Sequence, residues 1–189
     1  MNINMIDLVE SQVIVSIREP KDIDKAIKSN ANIVFLLTGN LLSVKDYVEV
    51  LQNANKQVFI HLDFIDGLAN SRSAIEYIAK HIKPLGIITT KSNLVKFAKE
   101  FNLMTIQRIF LIDRGAIKKG IEMVKSCKPD AVEVLPGLMP RVIFELTETI
   151  ETPLIVGGLI ANEDEINDAL KAGALAVSVG NPKLWSLNF

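Results

Sequence analysis

Two glycine-containing segments near the end of the chain have the composition of a phosphate-binding site. They follow two successive apolar runs and comprise Gly157 with Gly158, and Ser178, Gly180 and Asn181. Glycine lets the backbone approach a phosphate closely, and free N–H groups at the start of a following helix favour an anion. A short helical segment is predicted over residues 182–187, directly after the second segment. The two segments therefore predict a phosphate site, although each glycine could equally serve only a tight turn.

Five further polar residues lie at or near the ends of earlier apolar runs. These are His61, Asp63, Lys91, Arg108 and Glu133. His61 and Asp63 are two residues apart, so on a strand they share one face. We expect all five to contribute to the same ligand site. In a sensor, His61 and Asp63 would orient ligand hydroxyls or brace loops. Lys91 could instead only begin a helix or pair with Glu133.

Two local assignments remain open at the sequence level. Thr90 could act as the N-cap of a helix that Lys91 begins, because threonine is a favoured N-cap residue. In the long apolar run 104–112, the strand register does not decide whether Gln107 or Arg108 points inward.

The residue types give little indication of a metal site or of covalent catalysis. The chain has two histidines and one cysteine, and they show no zinc-ligand spacing. No nucleophile elbow, Walker loop or dinucleotide fingerprint occurs. Asp63, Asp66 and Glu133 could hold a hard cation, but solvated carboxylates are commoner. We therefore predict no metal and no cofactor.

The elements that must position these groups alternate regularly. Eight β-rich runs are separated by segments with helical spacing of apolar residues, and the runs are 13–17, 33–37, 57–62, 86–89, 104–109, 131–135, 153–156 and 176–179. Eight repeats of strand and helix favour a compact eight-stranded parallel βα-barrel of the TIM-barrel type over an open flavodoxin-like sheet. At 189 residues such a barrel needs very short loops. Since no linker-like stretch divides the chain, we expect one domain over residues 1–189.

Several longer segments together closely resemble the glycerol-3-phosphate responsive antiterminator family, the regulators of bacterial glycerol uptake operons. The segments are 34–39 (VFLLTG), 58–63 (VFIHLD), 88–93 (ITTKSN), 105–113 (TIQRIFLID), 133–140 (EVLPGLMP) and 157–160 (GGLI). The resemblance implies a compact βα-barrel that binds glycerol 3-phosphate and acts on leader messenger RNA, without catalysis. One departure is Val179-Gly180, where small hydroxylated residues are expected before the asparagine, and this leaves fewer side-chain contacts to phosphate there.

RNA contact requires positive charge, and the formal net charge is only −1. Residues 83–125, however, contain nine basic and three acidic residues, whereas the remainder contains 12 basic and 19 acidic residues. The candidate RNA-contacting residues recur at helical spacing in this region, and they are Lys96, Lys99, Arg114, Lys118 and Lys119. Solvated outer helix faces would give the same pattern, and the few aromatic residues do not indicate base stacking.

Two functions remain in competition at this stage. The first is a glycerol 3-phosphate-sensing antiterminator that binds leader messenger RNA. The second is a lyase or isomerase of sugar phosphates, with His61 or Asp63 as general base and Lys91 as electrophile. The lone Cys127, the absence of a targeting pattern over residues 1–10 and the lack of a membrane-length apolar run predict a cytoplasmic protein that does not contact membranes. Its oligomeric state is open, and a homo-oligomer is compatible with the sequence.

Overall fold

The computed structural model describes residues 4–187 and 189, which form a closed barrel of eight parallel strands. The strands pair in chain order and the last pairs with the first. They are β1 (Val13–Ile17), β2 (Ile33–Leu36), β3 (Gln57–His61), β4 (Gly86–Thr89), β5 (Met104–Phe110), β6 (Ala131–Leu135), β7 (Leu154–Gly157) and β8 (Ala176–Val179). The predicted barrel is thus confirmed, and the open sheet is wrong.

The first helix precedes β1, and those that follow connect successive strands on the outside of the barrel. The helices are α1 (Met5–Leu8), α2 (Ile23–Lys28), α3 (Val44–Asn53), α4 (Arg72–Tyr77), α5 (Ser92–Glu100), α6 (Arg114–Cys127), α7 (Pro140–Thr149) and α8 (Glu163–Lys171). A π-helical segment, Ile78–Ile82, extends α4, and 3-10 turns lie at Pro20–Asp22, Leu62–Phe64 and Pro182–Leu184. The last turn is shorter than the predicted helical segment. Short loops make an eight-repeat barrel possible in so short a chain.

Apolar side chains form two separate layers because successive strand residues point to opposite faces. One layer lies between sheet and helices and includes Val15, Val34 and Val132. The other fills the lower part of the lumen with residues such as Ile14 and Phe59. Helix α1, which sequence patterning did not predict, belongs to the second layer through Met5 and Leu8 and covers the amino-terminal end of the barrel.

The upper part of the lumen is polar, and this positions the candidate site. On five of the strands, two residues further along, an apolar side chain gives way to a polar one, as from Ile14 to Ser16 or from Phe59 to His61. The same change takes Ile106 to Arg108, Ala131 to Glu133 and Ala176 to Ser178. Ligands of this barrel class bind at that carboxyl end of the strands.

Helix α6 shows how local sequence holds the outer layer in place. Asp113 accepts a hydrogen bond from the Ala116 N–H (2.7 Å) and so caps the first turn. An added Cβ at Gly120 would lie 3.0 Å from an Ile109 methyl carbon, so glycine allows the helix to pack closely on β5. No helix in residues 4–187 is both long enough and apolar enough to cross a membrane.

Candidate functional site

A cavity of about 410 Å³ opens at the carboxyl ends of the strands, between β1 and β5–β8. Six of the ten predicted ligand residues line it, namely Arg108, Glu133, Gly158, Ser178, Gly180 and Asn181. The remaining walls are formed by Ser16, Arg18, Leu37, Leu135, Leu159 and Ile160. The structure therefore brings the fifth- to eighth-strand residues together at one cavity.

A buried ionic network forms the floor of this cavity. Arg108 Nε donates to Glu133 Oε2 at 2.6 Å, and Ser178 Oγ donates to Glu133 Oε1 at the same distance. Arg108 is 5% exposed and Glu133 is fully buried. Breaking such a pair by removing one partner is costly because the other charge stays buried and unpaired. The network thus fixes the guanidinium group beneath the cavity.

The structure resolves the ambiguity between Gln107 and Arg108. Arg108 points into the lumen, whereas Gln107 faces the outer helices. The Gln107 amide donates to the carbonyl oxygens of Thr89 and Arg108, and its Oε1 accepts from Cys127 Sγ. Gln107 is therefore a structural residue, and its cysteine partner is buried with a thiol pKa raised by burial.

The three glycines of the two predicted phosphate-binding segments have different roles. Gly158 has φ +74°, a left-handed conformation that favours glycine. At Gly157, an added Cβ would lie 2.0 Å from Ser178 Oγ, so the missing side chain makes room for the buried network rather than for a ligand. At Gly180, an added Cβ would lie 3.8 Å from Arg18 Nε without a clash. Gly180 is thus the glycine whose replacement changes the cavity wall with least strain.

The turn after β8 offers fewer free backbone N–H groups to an anion than the sequence predicts. Asn181 Oδ1 accepts the Lys183 N–H at 3.1 Å, and Pro182 has no N–H to give. The 3-10 turn Pro182–Leu184 has only three residues, so its dipole is also small. An anion here therefore depends mainly on the arginine side chains.

His61, Asp63 and Lys91 form a second cluster, over β3 and β4, that does not line the cavity. Lys91 Nζ lies 3.1 Å from Asp63 Oδ1, so it pairs with Asp63 and not with Glu133. Asp63 Oδ2 also accepts from the Thr90 N–H (3.1 Å) and Thr90 Oγ1 (3.3 Å). The N-cap residue of α5 is Lys91 and not Thr90. Burial alone would raise the pKa of Asp63, but these hydrogen bonds and Lys91 lower it.

His61 lies in the lumen with both ring nitrogens buried and without a hydrogen-bond partner among the described residues. Its Nδ1 lies 3.7 Å from Asp63 Oδ2, beyond hydrogen-bond distance. The ring of Phe64 packs against it edge to face at a centroid distance of 4.6 Å. Burial, together with the nearby Arg108, lowers the pKa of His61 to about 3. The imidazole is therefore neutral at physiological pH.

Sequence reasoning missed Ser16 and Arg18 on the β1 side of the cavity. Ser16 is the buried penultimate residue of β1, and Arg18 follows the strand with an exposed side chain. The two share a face with Ile14, the same two-residue alternation that singled out His61 and Asp63. Applied to the first strand, that rule would have found them.

The candidate RNA-contacting residues all lie exposed on α5 and α6, but three of them have partners within the protein. Lys96 Nζ contacts Ser126 Oγ (3.4 Å), and Lys99 Nζ donates to the Lys128 carbonyl oxygen. Arg114 contacts both Glu145 carboxylate oxygens on α7. Only Lys118 and Lys119 of the five lack such a side-chain contact within residues 4–187.

The acidic residues considered as cation ligands do not come together. Asp63 pairs with Lys91, while Glu133 pairs with Arg108. Across the part of the chain that the structure describes, no three His, Cys, Asp or Glu side chains are grouped to hold a metal ion.

Comparison with known proteins places the whole barrel in context. The model of a family described as glycerol-3-phosphate responsive antiterminator matches residues 13–185. The YgcP protein of Escherichia coli strain K12 is 33% identical over 180 residues, covering 95% of this chain and 94% of that protein.

Two crystal structures show the same architecture at appreciable sequence identity. The glycerol uptake operon antiterminator regulatory protein of Listeria monocytogenes is 33% identical with a TM-score of 0.89, over 93% of this chain and 95% of that one. A glycerol uptake operon antiterminator-related protein of Thermotoga maritima is 30% identical with a TM-score of 0.82, over 93% and 98%.

Proposed function

The chain belongs to the glycerol-3-phosphate responsive antiterminator family, as its motifs predict, and on that premise we propose that its cavity binds glycerol 3-phosphate and thereby controls binding to leader messenger RNA. The protein acts as a sensor and does not convert the ligand into a product.

The observation that carries this proposal is the charge arrangement of the cavity. Two arginine side chains, Arg108 and Arg18, line the cavity. The Glu133 carboxylate balances the charge of Arg108, because it accepts a hydrogen bond from Arg108 Nε. The Arg18 guanidinium has no carboxylate partner among the described residues. One uncompensated arginine beside a polar floor fits a phosphate monoester, since guanidinium groups bind phosphate with charge-assisted hydrogen bonds.

The glycerol moiety needs uncharged polar partners, and the cavity provides them. The hydroxyl groups of Ser16 and Ser178 lie on its wall, together with the amide of Asn181. Leu37, Leu135 and Ile160 supply apolar contacts for the carbon chain. A cavity of about 410 Å³ accommodates a molecule of this size with water.

The second cluster is poorly suited to the acid–base chemistry of a lyase or isomerase. An efficient general base has a pKa near the working pH. The pKa of His61 is about 3, and that of Asp63 is lowered by its contacts with Thr90 and Lys91. In this proposal the cluster joins the loops that follow β3 and β4, and it does not transfer protons.

Regulation follows from linkage between two binding sites. If glycerol 3-phosphate binds one conformation better than another, and RNA prefers the same conformation, each ligand raises the affinity of the other by the same factor. The RNA surface proposed for this purpose is the basic outer face of α5 and α6.

Calorimetry tests the ligand half of this proposal. We expect glycerol 3-phosphate to bind, glycerol to bind far more weakly because it lacks the charged group, and the heat of binding to change when leader RNA is present. Incubation with triose and sugar phosphates should leave them unaltered. Equal affinity for glycerol and glycerol 3-phosphate, or steady turnover of a phosphorylated substrate, would contradict the sensor function.

A further inference from the structure

Exposed apolar side chains are concentrated in the loops that follow the strands. Of the twelve large hydrophobic residues that are exposed within residues 4–187 and 189, six lie there and a seventh, Phe110, is the last residue of β5. We call these seven the apolar rim, and they are Leu41, Leu42, Phe64, Phe110, Ile112, Leu138 and Leu159. The most exposed are Leu42 at 89% and Ile112 at 85%. The other five lie on α1, α3, α4 and α7 and at residue 189.

The loops that carry the rim are fastened to one another, so the surface is preformed. The Leu41 N–H donates to the Asp66 carbonyl oxygen and joins the loops after β2 and β3. On the other side, the Leu111 N–H donates to the Leu135 carbonyl oxygen, and the Gly137 N–H donates to that of Gly158. A preformed surface loses little conformational entropy on binding.

The rim is also uncharged to an unusual degree for solvent-facing loops. Residues 37–43, 109–112, 135–139 and 158–162 contain no charged side chain, whereas Asp63 and Asp66 flank Phe64 and Asp113 follows Ile112. Charge depletion with enrichment of large apolar residues characterises the buried core of protein interfaces. Nucleic acid, in contrast, requires lysine and arginine for its phosphates. The composition therefore indicates a protein partner whose surface is likewise apolar.

A second copy of this chain provides such a surface without any further requirement. Two-fold symmetric dimers use the same patch on both subunits, which is self-complementary when it is apolar and uncharged. The exposed fractions of the seven residues correspond to an area on the order of 800 Å², which matches the share of one partner in a standard interface.

We propose that the apolar rim is the interface of a two-fold symmetric homodimer in which the carboxyl ends of two barrels face each other. The outer helices, including the basic faces of α5 and α6, stay free in this arrangement. The proposal rests on the rim alone and does not depend on which ligand the cavity binds.

Sedimentation velocity of the full chain between 1 and 100 μM tests it, with a matched pair of double variants. Leu42→Lys/Ile112→Lys places two charges in the rim without touching the cavity. Phe144→Lys/Val50→Lys places two charges on the outer faces of α7 and α3, where the side chains are 59% and 47% exposed. We expect a concentration-dependent dimer for the native chain and the control, and at least a tenfold weaker dimer for the rim variant.

Circular dichroism and thermal unfolding establish that each variant is folded, and the single variant Leu42→Lys serves if the double variant is not. A native chain that stays monomeric at every concentration would overturn the proposal. So would a dimer that both double variants weaken equally, because the interface would then lie elsewhere. If the native chain is monomeric and the rim variant loses affinity for RNA, the rim contacts RNA instead.

Discussion

At the scale of single residues, the cavity is organised around one buried acid. Glu133 is fully buried and uses its two carboxylate oxygens for different partners, Arg108 and Ser178. A buried ion pair seldom adds net stability over apolar residues of similar volume. Its persistence at the floor of a cavity is better explained by positioning, since it holds a guanidinium group ready for an anion.

This arrangement predicts opposite effects of Glu133→Gln on stability and on ligand affinity. Loss of the carboxylate charge leaves Arg108 buried without a counter-charge, which should lower the free energy of unfolding by about 3 kcal/mol. A bound phosphate restores the counter-charge, so glycerol 3-phosphate should bind more tightly to the variant. Urea unfolding with and without ligand measures both quantities.

Glu145→Gln is the matched control for this experiment, because Glu145 forms an exposed pair with Arg114. Such pairs contribute about 1 kcal/mol or less. If both variants lose the same stability, or if glycerol 3-phosphate binds more weakly to Glu133→Gln, the counter-charge role is wrong.

The neutral, buried His61 predicts a dependence of stability on pH. Its pKa is about 3 in the folded protein, compared with 6.5 for an unperturbed histidine. Below pH 6.5 the unfolded chain takes up a proton that the folded protein does not accept until about pH 3, so stability falls as the pH drops. Between pH 7.5 and 5 the expected loss is about 2 kcal/mol.

Denaturant unfolding across this pH range checks the effect, and His61→Gln should remove most of it. The chain has one other histidine, His81, whose exposed side chain makes His81→Gln the natural control. Retention of the full pH dependence in His61→Gln would show that other groups cause it.

At the scale of elements, the repeat of strands and helices could be predicted because β-branched runs and helical spacing are local properties. Four strands have the predicted bounds, and the other four differ by one or two residues. Which of Gln107 and Arg108 faces the lumen could not be predicted, because this depends on the strand register that pairs Arg108 with Glu133 on β6. Helix α1 was missed because four residues carry too little periodicity, and its position comes from contacts at the base of the lumen.

The glycine loops were recognised from sequence, but the structure separates their roles and sharpens their test. Gly180→Val should weaken glycerol 3-phosphate binding at least tenfold, because its methyl groups enter the cavity beside Arg18. Gly180→Ala should have a smaller effect, and neither variant should change the free energy of unfolding by more than about 1 kcal/mol. Calorimetry and thermal unfolding give the two readouts.

A destabilised Gly180→Ala would show that glycine is needed here for the backbone itself. Unchanged affinity in a folded Gly180→Val would place the phosphate elsewhere in the cavity. Gly158 is less informative, because its positive φ strains any replacement.

At the scale of the whole molecule, charge is segregated although the net charge is only −1. The excess of basic residues lies on α5 and α6, which pack side by side outside the barrel. Lys99 is bound to a carbonyl oxygen and Arg114 is paired with the Glu145 carboxylate, so both side chains are already engaged within the protein. The cations that remain accessible are those along α6, chiefly Lys118, Lys119 and Lys125.

If this face binds leader RNA, reversing Lys118, Lys119 and Lys125 to Glu should abolish binding and leave glycerol 3-phosphate binding intact, since the cavity lies at the far ends of the strands. Each phosphate contact releases condensed counterions, so loss of three contacts should lower the slope of log affinity against log salt by about 2 to 3. The matched control reverses three exposed lysines on other helices, Lys28, Lys45 and Lys171, which changes the net charge equally. Filter binding across a salt series separates the two variants. Equal losses would mean that RNA responds only to overall charge. An unaltered slope in the α6 variant would move the RNA site to the loops around the cavity, near Lys91 and Arg141.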